Sequence, residues 1–260
     1  MSAILYHGEP NGPSLIVLAA LAETVLDIEC RPINLLAGDR HRIAGLNDRT
    51  ALVMGVEGEG PLLVVDGEAM TDSVFIAQYL DEVAGAGLQP KDPYAHWEMM
   101  MLCRRITERV APAAAFLGCM SSASGELAAL DQSAYDRDVA DIASPDLKQR
   151  WQDVRDGRFP EEQIADSKAK LSTSMVVMDE ALSGGRDWLI GDFSILDLVA
   201  YGWQAKARDF VPDAFENKPK LEAWFKRIAA RPSVIAALAR ATVADPLKSW
   251  AIGPEINRWG

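Results

Sequence analysis

The pattern of this chain changes once, near residue 90, and that change narrows the folds open to it. Before it, apolar residues recur with mixed periods. The segment "AILYHG" (3–8) reads as a short buried strand, "SLIVLAALAETV" (14–25) as a helix, and "DIECRPINL" (27–35) as a second strand. Strand, crossover and strand imply a parallel βαβ unit. "PLLVV" (61–65), the turn "DGE" (66–68) and "AMT" (69–71) then read as an antiparallel hairpin. "DSVFIAQYLDEVA" (72–84) carries Val74, Ile76, Ala77, Leu80 and Val83 at helical spacing. Residues 36–59 have weak periodicity and receive no element. "GAGLQPKDP" (85–93), punctuated by glycine and proline, reads as a linker. From Tyr94 onward the pattern is helical throughout, in segments near 94–118, 125–142, 145–157, 160–183, 194–209, 217–230 and 232–241. The expected architecture is an α/β domain over 1–84, the linker 85–93, and an all-α domain over 94–260.

Composition removes several classes of function. A formal charge of −12 over 260 residues argues against a nucleic-acid partner, since neutralising phosphates needs clustered Lys and Arg. The pairs Arg104-Arg105 and Lys226-Arg227 fall in helical patterns and read as solvated helix charges. Apolar runs such as "SLIVLAALA" (14–22) are too short to span a bilayer and lack the basic flank of a signal peptide. The expectation is a cytoplasmic protein without a membrane partner. Cys30, Cys103 and Cys119 have no close spacing and read as reduced thiols. His7, His41 and His96 are scattered, so no metal is expected.

Proline at the mouth of the apolar run 61–65 needs a reason, because it cannot donate to a sheet ladder. The dipeptide Gly60-Pro61 alone reads as an ordinary trans bond. Asp72-Ser73 stands at the head of the next helix, where exposed amides and the positive dipole end suit an anion; Thr71 or Asp72 reads equally as a plain helix cap. Ser194 and Asp197, after "DWLIGDF" (187–193), have the spacing of a capping box, which is a matter of fold rather than catalysis.

With these marks the chain resembles the glutathione transferase superfamily, a thioredoxin-like domain followed by a helical one. Within it the resemblance is greatest to the LigF-like bacterial β-etherases of lignin catabolism. It is carried by "LYHGEPNGPSL" (5–15), "DGEAMTDSVFIAQYLDE" (66–82), "KDPYAHWEM" (91–99) and "RWQDVRDGRFPEEQI" (150–164), the last in an insertion between the first helices of the helical domain. The resemblance implies a cis Gly60-Pro61 bond that turns backbone groups toward the cysteinyl part of glutathione. It also implies Asp72 and Ser73 at the γ-glutamyl end, with glutathione as co-substrate.

The reaction so implied is attack by glutathione thiolate on the carbon bearing an aryl ether, beside a benzylic ketone. Donors to the thiolate fall in "HGEPNGPS" (7–14). Ser14 aligns with the family serine and reads equally as a helix cap. The LigF-like pattern places asparagine directly before that serine; here Pro13 stands there and Asn11 lies two residues earlier. The family approach to the cis proline is replaced by "VMGVEGEGP" (53–61), with Glu57 and Glu59 adding negative charge. His41 and Arg42 read as contacts to the glycyl carboxylate or as solvated loop residues. The stripe Met99, Leu102, Cys103 and Ile106 reads as core, as dimer interface, or as pocket wall, and Trp203, Phe210, Trp250 and Trp259 as a pocket roof. A small aromatic ether substrate is expected, in a homodimer or a heterodimer with a related chain. The rival readings are a partner subunit with a weakened glutathione site and a transferase for another electrophile.

Overall fold

A computed structural model describes residues 2–43, 60–142 and 144–248. The first half comprises β1 (Ala3–His7), α1 (Gly12–Ala22), β2 (Glu29–Pro32), β3 (Leu62–Val65), β4 (Glu68–Met70) and α2 (Ser73–Ala84). Its sheet has the order β2-β1-β3-β4, with β1 and β2 parallel and β3 antiparallel to β1 and β4. This is the expected βαβ unit followed by a hairpin.

Register decides where a site can form. His7 pairs with Pro32, Tyr6 with Leu62, and Leu63 with Met70. The chain leaving β1, the chain leaving β2, the start of β3 and the start of α2 therefore meet at one edge of the sheet. Residues 8–11, 33–43, Gly60-Pro61 and Asp72-Ser73 all open there.

The second strand is shorter than the expected 27–35. It ends at Pro32 on the outer edge of the sheet, with one further bond from the Ile33 N–H to the His7 carbonyl at 2.8 Å. The chain then curls into two 3₁₀ turns, Leu35–Ala37 and Asp39–Arg42. Asn34 holds the first by accepting from the Leu36 and Ala37 N–H groups at 3.0 and 3.2 Å.

In the second half, α3 (Pro93–Arg105), α4 (Ala111–Gly118) and α5 (Ser124–Ala128) form one rod, joined through π-helical turns at Ile106–Val110 and Cys119–Ala123. The rod thus runs past the expected end at 118. The expected helix 125–142 is instead broken after Ala128, and Asp131 caps a new one, α6 (Gln132–Val139). The remaining helices are α7 (Pro145–Arg155), α8 (Glu161–Ala181), α9 (Ile195–Gln204), α10 (Ala207–Phe210), α11 (Pro219–Ala229) and α12 (Pro232–Leu238). Proline is the first residue of α3, α7, α11 and α12, where its missing N–H costs nothing. Among the described residues no helix is long and apolar enough to cross a membrane.

Two cores result. The larger joins the sheet, α1, α2 and the central helices, and it absorbs Met99, Cys103, Ile106 and Trp203. The smaller lies under α6 and α7, the helices that include part of the stretch read above as an insertion, where Tyr135, Ile142, Leu147, Trp151 and Val154 pack on Cys119, Ala123 and Leu127 of the rod. Helix α1 is apolar on every side because it is covered on every side, by α2, α9 and α12 as well as the sheet. Its contact with α9 is backbone to backbone. A Cβ on Gly202 would lie 2.8 Å from the Gly12 carbonyl oxygen and 2.6 Å from Ile16.

At the head of α9 the capping box is complete. Asp197, fully buried, accepts from the Ser194 N–H at 3.1 Å, the Leu189 N–H at 3.1 Å and the Trp224 indole at 2.8 Å. Burial pushes its carboxyl up to about 6 from 3.8, against the pull of those hydrogen bonds. A carboxyl that binds its proton more tightly folded than unfolded adds stability below the unfolded value and loses it as pH rises through the folded one. Asp197→Asn removes both the cap acceptor and this titration. We expect the variant to be less stable than wild type at low pH, with the gap narrowing by roughly 1–3 kcal/mol as pH rises from about 4 to about 7. Urea unfolding of both proteins across that range checks it, and a constant or widening gap contradicts it.

Candidate functional site

A cleft of about 820 Å³ opens at the sheet edge described above. Glu9 and Asn11 line it from the loop after β1, Asn34, Leu35, Leu36 and Asp39 from the turns after β2, and Ala123 and Glu126 from the rod. Thr242 to Lys248, beyond α12, close its remaining side. A second groove, of about 680 Å³, runs between α3 and α8 with Arg105, Arg109 and Lys170 on its rim. It contains none of the residues at the sheet edge.

Ser14 falls inside the first turn of α1, not at its cap, because the helix starts at Gly12 with Asn11 in the cap position. The Ser14 Oγ is fully buried and accepts from the Gly8 N–H at 3.0 Å, which folds the loop back on the helix. Asn11 donates its amide to the Pro246 carbonyl at 2.7 Å. That donor holds the C-terminal segment across the cleft. His7, at the end of β1, is buried and donates from Nδ1 to the Gly8 carbonyl at 2.7 Å. Burial lowers its pKa, which disfavours the charged ring.

The Gly60-Pro61 bond is cis, as the resemblance implies, and both residues are buried at the head of β3. Asp72 caps α2, its Oδ1 accepting from the Val74 and Phe75 N–H groups at 2.9 and 3.3 Å. It does so at φ 70, a region that non-glycine residues rarely adopt and that clusters at ligand clamps. Ser73 follows at the first helical position. Its hydroxyl and that of Thr71 are buried and make no hydrogen bond among the described residues. A buried polar group without a partner costs about 1–3 kcal/mol, and these two stand on either side of Asp72 at the start of α2.

His41 sits in the turn Asp39–Arg42, half-buried, and is not among the residues lining the cleft. Arg42 points elsewhere: it binds Asp138, Asp141 and the Arg137 carbonyl of the insertion. Glu57 and Glu59 lie outside the described residues, as do Trp250 and Trp259. Trp203 is buried beneath the first turn of α1 and Phe210 is half-buried; neither lines the cleft.

The cysteines cannot supply a thiolate. Cys103 and Cys119 are fully buried and their thiols are pushed well above the usual range; burial also raises half-buried Cys30. Sequence reasoning overlooked two parts of the cleft, Glu9 and the segment 242–248. Glu9 accepts from the Thr242 N–H at 3.0 Å and from its hydroxyl, across 233 residues. No local pattern signals such a pair.

Comparison with known proteins supports the fold. Residues 131–232 match the family model of the glutathione S-transferase C-terminal domain. Protein LigF of Sphingobium sp. (strain NBRC 103272 / SYK-6) is 27% identical over 95% of this chain and 97% of its own. The crystal structure of β-etherase LigF from Sphingobium sp. strain SYK-6 has a TM-score of 0.81, with 24% identity, covering 93% of this chain and 100% of that one. A glutathione transferase homolog from sulfitobacter with bound glutathione has a TM-score of 0.58 at 19% identity, over 92% and 98% of the two chains. A glutathione transferase family member from Pseudomonas fluorescens pf-5 with two glutathione bound has a TM-score of 0.60 at 19% identity, over 91% and 92%.

The clasp between Glu9 and Thr242 generates a prediction. Glu9→Ala should speed amide exchange at Thr242 about tenfold or more, by removing its acceptor, while leaving the exchange of α1 unchanged. Hydrogen-exchange mass spectrometry of both proteins decides it; equal protection of 242–248 contradicts the clasp.

Proposed function

Because this chain has the glutathione transferase fold and resembles LigF along nearly its whole length, we propose that it is a glutathione-dependent β-etherase acting on lignin-derived β-aryl ether ketones. The observation that carries the reading is the pair of unpartnered buried hydroxyls, Thr71 and Ser73, at the N-terminus of α2, on the same sheet edge as the cis Gly60-Pro61 bond. In this reading residues 1–84 bind glutathione, 85–93 connect, and 94–260 form the helical domain. The protein works in the cytoplasm as a homodimer or a heterodimer with a related chain.

Each residue then has a defined task. The backbone of Gly60 and Pro61 pairs with the cysteinyl part of the tripeptide. Ser73 donates to the γ-glutamyl carboxylate, aided by the amides and dipole of α2, and Asp72 faces its ammonium. The Ser14 hydroxyl, which already accepts from Gly8, donates toward sulfur and lowers its pKa, as does the N-terminus of α1. His41 is assigned to the glycyl carboxylate. Sulfur attacks the carbon bearing the aryl ether; the C–S bond forms as the C–O bond breaks, and the thiol proton finishes on the departing phenol. The apolar side chains Leu35, Leu36, Ala123 and Val243 receive the aromatic rings and keep water from the reacting carbon.

One observation favours a second reading, a partner subunit with a weakened site in a heterodimer. Pro13 has no amide to offer sulfur, and the Asn11 amide is already engaged with Pro246. Calorimetric titration of glutathione into the purified chain separates the two. The enzyme reading expects a Kd of about 1 mM or tighter, weakened about tenfold in Ser73→Ala by loss of one hydrogen bond to a charged group. It then expects turnover of a β-aryl ether ketone by the chain alone. A folded chain that shows no binding overturns it and leaves the partner subunit.

A further inference from the structure

We infer that Arg42 is a positioning residue for the glutathione cradle, through which the helical insertion α6–α7 holds the turns after β2 in place. The inference rests on the glutathione reading above and adds a part of the site that no motif assigns. Arg42 leaves the turn Asp39–Arg42 and enters the end of α6. Its Nη2 donates to the Arg137 carbonyl at 3.0 Å and lies 3.6 Å from Asp138, and its Nε donates to Asp141 at 3.3 Å. A third carboxylate, Asp39, lies 3.7 Å away within its own turn. Asp138 is nearly buried, so this node is less screened than an ordinary surface pair.

The backbones meet at the same point. Gly38 has φ 72, and a Cβ there would lie 2.2 Å from the Asp138 carbonyl oxygen. Loop and insertion are therefore in direct contact, with no room for a side chain between them. Leu36 packs on the insertion's own core.

From this node a packed path leads to the site. Leu35, the residue before Leu36, lies in the turn that Asn34 caps and faces the opposite core. Its methyl groups back two glycines of the cradle: a Cβ on Gly8 would lie 2.6 Å from Leu35 Cδ1, and one on Gly60 3.4 Å from Cδ2. Gly8 is the residue whose N–H holds Ser14, and Gly60 is half of the cis bond. Fixing the turn with Arg42 thus fixes the floor beneath both the thiol-side donors and the cis-proline backbone. The step lost without it is ordering of the cradle, which glutathione binding must then supply.

The test measures glutathione Kd by calorimetry, together with KM, kcat and melting temperature, in wild type, Arg42→Ala, Arg42→Lys and Asp141→Asn. Arg158→Ala is the control, since Arg158 pairs with Asp153 and Asp156 inside the insertion and touches no part of the turn. The expected result is a rise in Kd and in KM for glutathione of about tenfold in Arg42→Ala, with kcat at saturating glutathione within about twofold. Arg42→Lys should recover part of that loss, exposed Asp141→Asn should move the same way more weakly, and Arg158→Ala should match wild type. If wild type binds glutathione and both Arg42→Ala and Asp141→Asn bind it equally well, the inference is overturned while the glutathione reading stands. If Arg158→Ala weakens binding as much as Arg42→Ala, the insertion acts through its stability and the inference is likewise overturned. If wild type itself does not bind, the glutathione reading has failed first.

Discussion

Everything at the sheet edge depends on how closely α1 can lie against α9. Gly202 lets the helix backbones approach to a distance that a single added methyl would forbid, since a Cβ there would lie 2.8 Å from the Gly12 carbonyl oxygen. That approach sets the height of the first turn of α1 above the helical half. The first turn carries Ser14, and the loop that feeds it carries Glu9 and Asn11. One turn earlier on α9, the Asp197 box fixes the start of the same helix by tying it to Leu189 and Trp224. The core of the second domain and the donors of the first are thus set by one helix.

Local chemistry was the legible part of the sequence. The βαβ order, the hairpin on Asp66 and Gly67, the Asp72-Ser73 helix start and the Ser194–Asp197 box are each specified within a few residues, and each is present. What the sequence hid is what depends on distant partners. β2 ends at Pro32 although "CRPINL" reads as strand, because the chain curls away into the turn that Asn34 caps. The rod does not end at 118, because its π turns at Ile106–Val110 and Cys119–Ala123 keep the helix going through Gly118 to Ala128. The tail 242–248 has no periodicity; its place comes from Glu9 and Asn11, more than 230 residues away.

The same contrast applies to candidate residues. Arg42 looked like a loop cation free to meet a carboxylate ligand, yet the insertion supplies it with two carboxylates and a carbonyl. Asn11 looked like a displaced amide donor for sulfur and instead fastens the tail. Trp203 looked like roof and is buried in the core beneath the first turn of α1. In each case the side chain had the chemistry expected of it, and a partner from another part of the chain decided its use. Ser73 differs: among the described residues its buried hydroxyl has no such partner, and its proposed use rests on that.

The seating of α1 has one more consequence, for the order in which the protein can form. Its apolar surface is covered by α12, Pro232–Leu238, the last helix described, as well as by α9. A nascent chain that has emitted only the sheet and α2 holds α1 with much of that surface open to water. The amino-terminal unit therefore cannot finish burying its central helix as it leaves the ribosome. The full covering of that helix waits for a segment more than 200 residues downstream.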